Sequence, residues 1–114
     1  MSGTDLEDRV AEAFEKRGYI VFRRKNHCDV LAVKPNMAVA YLMECKDYRL
    51  SRKQQILAVR ELNRNYTHAL EILLKNRLYA EKILKVLVAH AFSYQARGIY
   101  QYTPAEIVKH IRSS

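Results

Sequence analysis

Between Thr4 and Arg17 the apolar residues Leu6, Val10, Ala13 and Phe14 return every three to four positions. That spacing predicts an amphipathic helix with Thr4 as N-cap, Glu7 three residues on in the capping-box position, and Gly18 as its stop. The period then changes. "YIVFRR" (19–24) and "CDVLAVK" (28–34) are short β-branched or aromatic runs, and "AVAYLMECK" (38–46) follows the turn signal "KPN" (34–36). They read as a strand followed by an antiparallel hairpin. From Ser51, a plausible N-cap, the helical period returns: Ile56, Val59, Leu62, Tyr66, Ala69, Leu70, Leu73 and Leu74 predict one long helix, or two with a break near 63–65. "ILKVLVAHAFS" (83–93) is dense enough in apolar residues for a buried strand, and "TPAEIVKHI" (103–111) opens a last helix with a Thr cap and Pro at its first position.

The order is therefore α-βββ-α-β-α. A strand–helix–strand connection after the hairpin requires a crossover and a parallel later strand, so the expected fold class is α/β with a mixed central sheet flanked by helices. With 114 residues, three Gly and two Pro, and no repeat or linker, residues 1–114 form a single expected domain.

Composition adds a partner and a setting. Twenty Lys and Arg against twelve Asp and Glu give a net charge of +8, which favours a polyanion, most simply nucleic acid. An ordinary basic surface is the plainer explanation. No stretch has the length and apolarity of a membrane span, and the first ten residues hold no apolar signal core, so an intracellular, cytoplasmic protein without membrane contact is expected. Cys28 and Cys45 form no CxxC pair and are read as reduced packed thiols; His68, His90 and His110 show no metal-ligand spacing.

The chemistry lies in "YLMECKDY" (41–48). Alternation along a strand puts Glu44 and Lys46 on one side and Cys45 on the other. Counting out from the turn at Pro35 and Asn36, Asp29 becomes a cross-strand or diagonal neighbour of Glu44. Two adjacent carboxylates repel unless a proton or cation lies between them, and Mg2+ suits such a pair, leaving positions for a phosphate oxygen and a water. Lys46 could orient that water and neutralise charge gathering on phosphorus. A [D/E]-x-K triplet arises by chance roughly once in a chain of this length, so the context carries the signal: the triplet ends a strand, with an acid at the near end of the hairpin partner.

Asp29, "ECK" (44–46) and the helix "LEDRVAEAFEKRGYIVFRR" before them resemble the PD-(D/E)XK nuclease superfamily of restriction-endonuclease-like fold, especially archaeal Holliday-junction resolvases and RecB-type and Mrr-type nuclease domains. The resemblance covers roughly residues 4–93. It implies a Mg2+- or Mn2+-dependent DNA endonuclease in which Asp29 and Glu44 bind metal with the backbone carbonyl of Cys45, Lys46 is the catalytic lysine, and Glu7 is an auxiliary acid. Glu12 competes with Glu7 for that role. Gln54 or Gln55 matches a glutamine that RecB-type members place near the site. Three features depart from the pattern: Cys28 replaces a common proline, the segment from Gly18 to Asp29 is short, and the serine-bearing loop of junction resolvases is missing.

Arg23, Arg24 and Lys25, with His27, precede Asp29, while Arg49, Arg52 and Lys53 follow Lys46, so a phosphate backbone across the site would meet cations on both sides. Tyr48 is a candidate for stacking on a base. Surplus apolar residues on the long helix, Tyr66, Leu70, Leu73, Leu74 and Leu78, suit either packing on the sheet or a homodimer. A nucleic-acid-binding module without turnover is the alternative function, and a subunit that docks an acidic protein is a third. Junction, duplex, flap, single strand and RNA all remain open as substrates.

Overall fold

A computed structural model describes residues 3–23, 29–35 and 38–112. Arg24, Lys25, His27, Cys28 and the turn residue Asn36 lie outside the described residues. The chain runs α1 (Gly3–Glu15), β1 (Ile20–Arg23), β2 (Asp29–Val33), β3 (Val39–Arg49), α2 (Arg52–Lys75), β4 (Lys82–Ala91), β5 (Tyr100–Tyr102) and α3 (Pro104–Arg112). It is an α/β structure with a mixed five-stranded sheet in the order β1-β2-β3-β4-β5. The first two pairings are antiparallel, and β3–β4 and β4–β5 are parallel.

Strand alternation divides the core into two layers. Val30, Ala32, Met43, Cys45, Val86 and Val88 face α1 and α3, where Leu6, Val10, Phe14, Ile107 and Ile111 cover them. Leu31, Val33, Ala40, Leu42, Leu87 and Ala89 face α2, against Ala58, Leu62, Ala69 and Leu73. After α1 the chain turns through Gly18 at φ +88°, a left-handed conformation that glycine adopts without Cβ strain.

The α2 helix is continuous through 63–65, which decides between the one-helix and two-helix readings. Its buried stripe is Gln55, Ala58, Leu62, Asn65, Ala69 and Leu73, rotated from the apolar positions of the sequence, so that Ile56, Leu70 and Leu74 face outward. Leu74 is 79% exposed. Both later helices start with reciprocal caps. Ser51 pairs with Gln54 at α2, and Thr103 with Glu106 at α3.

The expected order lacked β5. Three residues are too short for a periodicity signal, and the strand pairs in parallel with β4 after a connection that contains no helix. Two amides make that connection, residues 92–99, workable. Gln55 Oε1 accepts from the backbone N–H of Ser93 at 2.7 Å, and its Nε2 donates to the Tyr94 carbonyl at 2.7 Å. Gln101 Oε1 accepts from Ala96 N at 2.6 Å. The side chains thus replace the backbone partners that a helix would have supplied.

Candidate active site

The register places Asp29 directly opposite Glu44. By alternation both lie on the α2 face, with Lys46 two residues beyond Glu44 on the same side. The carboxylates are nearly sealed from solvent, Asp29 at 5% and Glu44 at 3% exposed. Lys46 Nζ lies 3.5 Å from Glu44 Oε2. Glu44 Oε1 is buried and accepts no hydrogen bond among the described residues, an expensive position for a carboxylate oxygen. Burial chiefly pushes the Glu44 carboxyl up to about 7; Lys46 opposes the rise, and the charges of Asp29 and Glu61 add to it.

Glu7 comes from the other layer. It is 5% exposed and lies within electrostatic reach of Asp29, so the end of β2 joins acids from both faces of the sheet. Burial raises its pKa, Arg23 lowers it, and Asp29 and Asp8 raise it further. Glu12 is exposed and has no such placement.

The remaining candidates divide. Arg23 is already engaged, at 3.3 Å from Glu7 and in contact with Asp8. Tyr48, Arg49, Arg52 and Lys53 are exposed just beyond Lys46, where β3 shifts register against β4 between Lys46 and Arg49. The Arg52 guanidinium stacks over Tyr94 at 5.3 Å from the ring centroid. Gln54 closes the α2 cap, and Gln55 is fully buried in the bonds that hold 93–94. Both amides are therefore committed to local structure. We expect Gln55→Ala to cost about 2–4 kcal/mol, since it empties a fully buried position and removes the bonds to the Ser93 N–H and the Tyr94 carbonyl, and Gln54→Ala about 1 kcal/mol or less. Urea midpoints check the contrast, and equal losses would contradict it.

Sequence reasoning missed Glu61, which adds negative charge near Glu44 from α2. Its signal was positional, because it adjoins Leu62 on the buried stripe. It also missed His90, whose Nε2 lies 2.5 Å from Asp47 Oδ1.

Asp29 and Glu44, opposite each other in the register, are the acidic residues that could hold a cation. Among the described residues no three His, Cys, Asp or Glu side chains group to hold a metal ion by themselves. Any ion here would depend on main-chain, water or substrate oxygens for its remaining ligands. No described helix is long and apolar enough to cross a membrane.

Comparison with models of known protein families gives no match to this chain, and comparison with curated proteins gives none either.

Proposed function

We propose that this chain is an intracellular, divalent-metal-dependent DNA endonuclease of restriction-endonuclease-like fold. The observation that carries the reading is the apposition of Asp29 and Glu44 with Lys46 on the same face, leaving a buried carboxylate oxygen that no donor among the described residues satisfies. A hard cation fits that deficit, since Mg2+ is held by one or two carboxylates and completes its shell with water and phosphate oxygens. When bound, such an ion supplies Lewis-acid charge to the phosphoryl oxygens.

The chain's own groups do the rest. Asp29, Glu44 and the Cys45 carbonyl hold the site. Lys46 offers positive charge to the nonbridging oxygens as charge builds on phosphorus, and it orients the attacking water. Glu7 acts on Asp29 from the opposite layer. The exposed Arg49, Arg52 and Lys53 receive the flanking phosphates. Two chains joined through the outward Leu70 and Leu74 of α2 would present paired sites to the two strands of a duplex.

The test is cleavage of end-labelled four-way junction, linear duplex and single-stranded DNA with Mg2+ or Mn2+ against EDTA. Metal-dependent cuts are expected, and the preferred substrate identifies the structure that is recognised. Salt-sensitive binding with no cut under any metal would replace the hydrolase with a binding module.

A further inference from the structure

Positive charge also collects on the sheet face away from Glu44 and Lys46, in the groove between α1 and α3. A cleft of about 660 Å³ is lined there by Arg9, Lys109, Arg112 and His90, with no carboxylate among the described lining residues. A second, of about 440 Å³, shares Arg9 and Arg112 with it and adds Lys16, Arg17 and Glu12. Among the described lining residues of the groove there are thus five Lys or Arg and one Glu, and all five cations are exposed. Arg17 is held over the end of α3 by a 3.3 Å bond to the Arg112 carbonyl. Leu6, Val10 and Val108 contribute apolar lining. Of the acids that α1 and α3 carry, Asp5, Glu7, Asp8, Glu15 and Glu106 do not line the groove, so the charge offered along its walls is positive and suits a polyanion.

The groove is also connected to the candidate active site. His90, in its lining, contacts Asp47, the residue immediately after Lys46. The exposed Tyr48 follows at the same end of the sheet. The geometry points to a phosphodiester strand that leaves the Lys46 site, passes the end of β3 and β4, and continues along the α1–α3 groove. Arg9 and Lys16 are seven residues apart on α1 and its following turn, about 10 Å along a helix axis. That length exceeds a single phosphate, so the groove can follow a strand beyond the scissile position. The inference rests on the proposed action on nucleic acid and adds to it a second contact surface, on the opposite face of the sheet, for the same strand.

Binding of a labelled duplex in EDTA, followed by anisotropy from about 50 to 200 mM salt, separates this inference from catalysis. The double variant Arg9→Gln/Arg112→Gln is expected to flatten the log–log salt slope by about 2 and to weaken binding at least about tenfold at the lower salt. Arg60→Gln/Lys75→Gln, on exposed positions of α2, should change neither. Amide shifts in the unaltered protein provide a readout independent of any variant: duplex should perturb α1 and α3. An unchanged slope in the first double variant, or shifts confined to α2, overturns the groove. Tighter binding of a nucleoside triphosphate than of duplex at the same amides also overturns it, in favour of a free nucleotide. Absence of metal-dependent cutting alongside the expected binding would overturn the hydrolytic reading alone.

Discussion

Lys46→Ala is expected to lower the rate of metal-dependent DNA cleavage at least about a hundredfold, the scale on which a positioned charge or proton-transfer group acts in a transition state. Its side chain is partly exposed and its alkyl stem lies at the margin of the core, so the fold should survive the truncation. Glu44→Gln should have an equal or larger effect on the rate, because it keeps the shape of the buried side chain while removing the charge that faces Asp29. Binding of duplex in EDTA should be nearly unchanged in both, since the phosphate-binding cations remain. Single-turnover cleavage, thermal melting and anisotropy on the same preparations check the three parts. A folded Lys46→Ala protein that cuts at the parental rate would remove the proposed mechanism.

The second large effect is on stability against pH. The Glu44 carboxyl is raised from the ordinary 4.5 to about 7, mainly by burial. The folded state therefore holds this proton more tightly than the unfolded chain does. Unfolding releases it between those two values, and stability falls as pH rises through that window. For a carboxylate 3% exposed the loss amounts to roughly 3 kcal/mol by pH 8. Glu7, also raised by burial, contributes in the same direction. Urea unfolding of the metal-free protein across pH 4–8 should show the decline, and Glu44→Gln should flatten most of it. A cation bound by the carboxylates favours their ionised form, so added Mg2+ should raise the melting temperature more at pH 8 than at pH 5. A metal-free stability that rises across the window would contradict the burial of an ionisable Glu44.

Much of this was legible along the chain because it depends on local rules. The two-residue alternation of "YLMECK" fixed Glu44 and Lys46 on one side, and the short turn at 34–36 limited where Asp29 could fall. The structure narrows cross-strand or diagonal to directly opposite. Caps were readable for the same reason: Ser51, and Thr103 followed by Pro104, announce helices through side chain and backbone within four residues.

Residues whose roles come from partners far along the chain were not legible. Gln55 looked like a site residue from its place after the motif, yet its amide bonds to Ser93 and Tyr94, nearly forty positions away. The loop leading to β5 is satisfied by Gln55 together with Gln101, and no short window of sequence contains both amides. Arg23 read as a phosphate contact and is found on Glu7 and Asp8. By itself the sequence determined the α/β class, every element but β5, the β3 face and the candidate acids and lysine, since strand period, helix period and turn chemistry act between near neighbours. Only the tertiary structure decided how deeply those acids are buried, which amides are consumed by a loop, and that five cations line one groove. Desolvation and charge clustering arise where distant segments meet.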